Sequence, residues 1–179
     1  MKISPEFRYY TSSSEMLDSQ TLALHDNKKD FDGYYFLSGN DGLVRKAIII
    51  EVEKVKRGYY VTDFYKKKDY HLEFYESKEI SGVPHRAAIY VIWPKKKYLV
   101  YKPFFEKGHW MSCSLNIHAG RRVGAKDNAI VWIRYIESLE KSGYSCKSFK
   151  RNILEYSDAQ YGFYEAFKHR FQNAIAIIE

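Results

Sequence analysis

The sequence predicts an α+β fold: a mostly antiparallel β-meander of about five to seven strands, two C-terminal helices packed on one face, and a short N-terminal helix. Three observations lead there. Apolar residues recur with period two between residues 43 and 117, the period changes to three or four after Asp127, and no linker interrupts the chain. The 179 residues are therefore expected to form a single domain, 1–179, long enough to bury roughly 70% of the extended-chain surface.

Taken in order, Ser12-Ser13-Ser14-Glu15 offers a capping box before a short helix carrying Met16, Leu17, Ala23 and Leu24. Gly33–Leu37 reads as a strand closed by the turn cluster Ser38–Gly42. From Leu43, Val44, Ile48, Ile50 and Val52 share one face, with Arg45, Glu51 and Glu53 opposite. Lys56-Arg57-Gly58 is a hairpin turn with Tyr59–Tyr65 returning, and Lys66-Lys67-Lys68 makes the next turn. Tyr70, Leu72 and Phe74 point inward, His85–Trp93 is a nearly continuous apolar strand, and Tyr98–Tyr101 continues the meander beyond Pro94. Trp110–Ile117 is the last strand, with Met111, Cys113, Leu115 and Ile117 on its core face. Asp127 then caps a helix through Ala129, Trp132, Ile133, Ile136 and Leu139, ended by Gly143. Ser157–Gln160 is a second capping box, opening a helix with Phe163, Phe167, Phe171, Ala174 and Ile178. The expected core comprises Ile48, Ile50, Val52, Leu72, Phe74, Ile89, Val91, Cys113, Leu115, Trp132, Ile136 and Phe167.

Charge is unevenly placed. Residues 43–136 hold 19 Lys/Arg against 9 Asp/Glu, residues 1–42 hold 4 against 7, and residues 137–179 hold 6 against 6, so the whole net +7 is carried by the β-rich block. Concentrated positive charge costs self-repulsion and suggests an anionic partner, nucleic acid first. The 17 Tyr suit half-buried positions with a polar tip at the surface. Cys113 and Cys146 form no CxxC pair or disulfide framework, and Cys113 reads as a free core cysteine. Met1–Tyr10 has no apolar stretch of signal-peptide type, and the longest apolar runs are too short to span a bilayer. A cytoplasmic chain with no membrane partner is the expectation.

The candidate nucleic-acid contacts fall in two groups. One is the basic turns: Lys56 and Arg57, Lys66, Lys67 and Lys68, and Lys95, Lys96 and Lys97, with Trp93 and neighbouring Tyr residues available to stack bases. The other is the polar row Ser112, Ser114, Asn116 and His118, alternating with the core face and running into Arg121, Arg122 and Lys126 before the expected helix N-terminus. That segment is not a Walker A loop, because its spacing is G-x-x-x-G-x-K without the following Ser/Thr. The leading reading is a non-enzymatic nucleic-acid-binding or regulatory accessory protein, for DNA or RNA, with no cofactor and no metal. The alternative is a protein–protein module that binds and modulates another protein through its Tyr-rich surface. A third reading, a metal-dependent phosphodiesterase, requires Glu51, Asp63, His71 and Glu73 to align across neighbouring strands.

Overall fold

In the computed structural model, seven of the nine strands among the described residues join into one antiparallel sheet. The structure describes residues 1–18, 28–38, 44–55, 67–93, 95, 99–108, 113–124, 128–149 and 153–176. In chain order the elements are β1 (Lys2–Ile3), β2 (Arg8–Asp18), β3 (Lys28–Ser38), β4 (Lys46–Val55), β5 (Glu73–Ile80), β6 (Val83–Ile92), α1 (Lys102–Glu106), β7 (Ser114–Val123), β8 (Ala129–Ser138), α2 (Asp158–Ala174) and β9 (Ile175–Ala176). The sheet order is β2-β3-β4-β8-β7-β6-β5, and β1 pairs separately with β9, bringing Ile3 opposite Ile175. The fold is thus α+β with a large antiparallel sheet, and both α-helices among the described residues lie in the second half of the chain.

Strand parity divides the sheet into two covered faces. One face carries Ile48, Ile89, Leu115, Ile117, Ile133 and Tyr135, packed against Tyr164, Phe167, Phe171 and Ala174 of α2. The other carries Tyr35, Ala47, Ile49 and Ile136, packed against Tyr101 and Phe104 at α1. α2 covers the first face, and the short α1, at residues where no helix is expected, covers part of the second. Phe167, Cys113, Leu115, Ile89, Ile48 and Ile136 are fully buried, while Ile50, Val52, Leu72, Phe74 and Val91 are half-buried.

Three elements differ from expectation for identifiable reasons. No helix forms at Ser12–Asp18, which is part of β2 and pairs with β3; residues 19–27 of the expected helix lie outside the described residues. A capping-box pattern is local, and pairing along eleven residues of strand outweighs it. The helix expected over Ala129–Leu139 is strand β8, held between β4 and β7. Buried on both faces, it has no polar alternation, and its apolar run imitates helical spacing while its β-branched Ile130, Val131, Ile133 and Ile136 suit a central strand. Tyr98–Tyr101 does not continue the meander: a 3-10 turn at Leu99–Tyr101 leads into α1, whose Pro103 sits in the first turn, where its missing N–H costs nothing.

The C-terminal capping box forms as read. Ser157 Oγ accepts from the Gln160 N–H at 3.3 Å, and Gln160 Oε1 accepts from the Ser157 N–H at 2.8 Å. Gly143 takes the left-handed conformation (φ 82°), ending a 3-10 turn at Glu140–Ser142. The β5–β6 hairpin turns on Ser81 and Gly82, both at positive φ, the geometry that matches strand twist. Cys113 is not free: it is disulfide-bonded to Cys146 across a Cα–Cα distance of 5.9 Å, tying the start of β7 to the segment before α2. The expected strand Tyr59–Tyr65 lies outside the described residues.

Candidate nucleic-acid interface

The face opposite α2 is only partly covered by α1, and beyond that helix it opens into a cleft of about 850 Å³. Its floor is built from three neighbouring strands: Tyr90 on β6, His118 on β7 and Arg134 on β8. Register places Ala88 opposite His118 and His118 opposite Arg134. Tyr101 walls it from the turn before α1, and Tyr70, Trp93 and Lys95 form its rim.

Arg134 is the centre of the floor. Its guanidinium grips both carboxylate oxygens of Glu51 on the adjacent β4 and donates to the Tyr90 hydroxyl at 3.0 Å. The two side chains are only 15% and 4% exposed, so neither charge is solvated on its own. Burial opposes the Arg134 charge, but Glu51 outweighs it and the pKa stays well above the usual arginine value. His118 is 7% exposed, with its ring 4.5 Å from Trp132. Burial, then the charge of Arg134 and the neighbouring His71, push its pKa well below the ordinary histidine range, so the ring is neutral near pH 7. His71 is lowered in the same way by burial and by Lys68; its Nδ1 accepts from the Lys68 backbone N–H at 3.1 Å, and its ring stacks on Phe74.

This contact chain fixes the rim. His71 lies 5.7 Å from Tyr90 and 4.7 Å from Tyr70 between ring centroids. Lys68, exposed, is tied to this chain of rings by its backbone N–H on His71, while Lys95 lines the cleft itself. Tyr70 is 52% exposed and Trp93 51%. Lys95 thus lies on the cleft beside two exposed aromatic rings.

The other sequence-derived candidates are placed differently. Ser114, Asn116 and His118 do share one strand face, but Ser114 and Asn116 are fully buried. The Asn116 amide donates to the Ser114 hydroxyl at 2.9 Å and its oxygen accepts from Tyr101 at 3.2 Å, so they anchor the turn before α1. Arg121 and Arg122 are half-buried residues of β7, not of a loop, and the next element is β8, so no helix N-terminus follows them. They help wall a second, smaller pocket of about 300 Å³ with His85 and Arg86. Ser112, Lys126, Lys56, Arg57, Lys66, Lys96 and Lys97 lie outside the described residues. The carboxylate row does not assemble: Glu51 is on β4 and Glu73 on β5, with β8, β7 and β6 between them, and Asp63 lies outside the described residues. Among the described residues no group of three His, Cys, Asp or Glu could hold a metal ion.

Arg134, Tyr90 and Tyr101 were missed as site residues. Arg134 carried a usable signal, since a lone cation inside the apolar run Ala129–Ile136 requires a buried partner.

No family model, no curated protein and no solved structure matches the chain. No helix among the described residues is long and apolar enough to cross a membrane.

Proposed function

We propose that the protein is a non-enzymatic nucleic-acid-binding accessory protein whose cleft takes a single-stranded segment. The observation that carries this is that Tyr70, Trp93 and Lys95 line one cleft, with Lys68 held next to it through its contact with His71. Exposed aromatic rings offer stacking to any base, and the lysines neutralise phosphates beside them. The charged group at the centre of the floor is already engaged, Arg134 with Glu51 and Tyr90. That supports binding over catalysis. A protein partner is the second reading, since an exposed Trp–Tyr pair also suits a protein interface.

The expected cytoplasmic setting has less support than the binding reading. The Cys113–Cys146 bond is a cross-link of the kind that persists in oxidising compartments.

The test is a pair of variants in an oligonucleotide-binding titration. Trp93→Ala is expected to weaken single-strand affinity by about 1–3 kcal/mol, the worth of one stacked base. Lys95→Ala is expected to weaken it and to lower the salt slope by about one. Parent-like binding by both variants removes the cleft from the interface.

A further inference from the structure

The floor of the cleft offers hydrogen-bond donors that the fold leaves unused. Register sets Tyr90, Asn116 and Ile136 in one row across β6, β7 and β8, and Arg134, two residues before Ile136, shares that face. Tyr90 and Arg134 both line the cleft, with Tyr101 beside them. We propose that this floor reads a guanine base through its O6 and N7 acceptors, with Arg134 and Tyr90 as the residues that make the cleft base-selective. The proposal deepens the nucleic-acid reading and rests on it for the strand that carries the base; a free guanine nucleotide presents the same edge.

The donors can be counted. A guanidinium carries five N–H groups. Glu51 takes Nε and Nη2, and the Tyr90 hydroxyl takes one N–H of Nη1 at 3.0 Å. One N–H on each of Nη1 and Nη2 remains, with no further partner for the guanidinium among the described residues. The Tyr90 oxygen accepts from Arg134 and keeps its own proton to donate. Tyr90 is 6% exposed and the Arg134 side chain 15%, so little water reaches these groups. A buried donor left unmade is costly, and a ligand that accepts removes the cost.

Charge decides between a phosphate and a base. Glu51, only 4% exposed, neutralises Arg134, so the pair has no net charge left to offset a buried anion. Phosphates are better served by Lys95 at the rim. The floor therefore suits a neutral group that presents acceptors alone. Guanine has one: O6 and N7 lie side by side on one edge with no donor between them, the pair that arginine grips most often. Adenine puts its N6 amino donor beside N7, and thymine offers O4 alone on that edge. Cytosine brings its N4 amino donor next to its ring acceptor. Each of these sets a donor against a donor or leaves one of the floor's donors unmade. The cleft, about 850 Å³, has room for a base, and Tyr70 and Trp93 offer ring faces to stack on it.

The experiment is an anisotropy titration of the full chain, at one salt concentration, with a labelled oligothymidylate carrying one central guanine, adenine, cytosine or thymine. The same strand is made with hypoxanthine and with 7-deazaguanine at that position, and GMP and AMP are titrated separately by calorimetry. A central guanine is expected to tighten binding at least about tenfold over the other bases. Hypoxanthine, which keeps O6 and N7, should retain the gain, and 7-deazaguanine, which lacks N7, should lose most of it. Glu51→Leu/Arg134→Met, in which each charge is removed together with its partner, should bring guanine down to the level of thymine, and Tyr90→Phe should lower the gain in part. Should the double variant fail to fold, as judged by circular dichroism, Tyr90→Phe and 7-deazaguanine must each reduce the gain. Equal binding of all strands overturns the guanine site and leaves the nucleic-acid reading standing. A guanine gain untouched by 7-deazaguanine and by the variants overturns this floor as its reader. Tighter binding of GMP than AMP with no strand binding supports the floor and overturns the strand reading alone. No strand binding and no difference between GMP and AMP overturns both.

Discussion

Replacing Glu51 by Leu leaves the Arg134 guanidinium in place with its charge uncompensated. The two side chains are 4% and 15% exposed, and the carboxylate takes two of the guanidinium's bonds, so water has little room to replace it. Breaking such a pair from one side costs about 3–5 kcal/mol. In a domain of this length, 1 kcal/mol moves Tm by roughly 2–4 °C, so the variant should melt about 6–20 °C below the parent. Arg134→Met, which strands Glu51, should cost a similar amount. The double variant Glu51→Leu/Arg134→Met should lie close to the parent, because two apolar side chains of similar volume need no partner. Urea unfolding followed by circular dichroism gives the three differences directly. The control is Lys46→Met: its pair with Glu6, at 3.0 Å, has side chains 26% and 43% exposed and should be worth under about 1 kcal/mol. A single variant within about 1 kcal/mol of the parent would show that the pair is solvated and that Arg134 is not held as described. A double variant as unstable as the sum of the singles would show that the residues act independently.

Three further outcomes are expected. Phe167→Ala, at a fully buried position against Tyr135, should cost about 3–5 kcal/mol in the same unfolding assay. Reducing Cys113–Cys146, which are 33 residues apart in sequence, should cost about 3–4 kcal/mol on a chain-entropy basis, measured as the change in urea midpoint with and without reductant. His71, His85 and His118 all have pKa values lowered by burial, so the unfolded chain binds protons that the folded chain refuses. Stability is therefore unaffected by them above about pH 6.5 and falls as pH drops below it, at up to about 1.4 kcal/mol per pH unit for each histidine until its folded pKa is reached. His118→Phe should flatten that slope; an unchanged pH profile would show that the His118 ring charges freely in the fold.

Sequence periodicity reveals the sheet where one face is more polar than the other. The parity of Ile48, Ile50 and Val52 against Glu51 and Glu53 is the parity of β4 in the structure. It fails for β8, where Ala129, Trp132, Ile133 and Ile136 imitate a helix because the strand is buried on both sides. It fails again at β2, where Ser12–Glu15 satisfies a local capping rule that strand pairing overrides. The second capping box, Ser157 with Gln160, faces no competing strand and forms. The cleft was half legible. Lys68 and Lys95 carry charge wherever they fall, but the neighbourhood of Lys95, Trp93 and Tyr70 depends on β6 lying between β5 and β7, a long-range pairing that no local pattern encodes. The row Ser114, Asn116 and His118 does share one face, but it is not open at Ser114 and Asn116, because Leu99–Tyr101, a strand by its sequence pattern, is a 3-10 turn whose Tyr101 bonds Asn116.

The most direct test of the central claim is the affinity of the parent chain for a labelled single-stranded oligonucleotide, measured by anisotropy at several salt concentrations. Lys95 on the cleft and Lys68 beside it, each neutralising one phosphate, predict a plot of log K against log salt with a slope of about −1.4, at roughly −0.7 per contact. No binding at low salt, or binding whose affinity does not change with salt, would contradict the nucleic-acid reading and leave a protein partner as the better account of the exposed Tyr70 and Trp93.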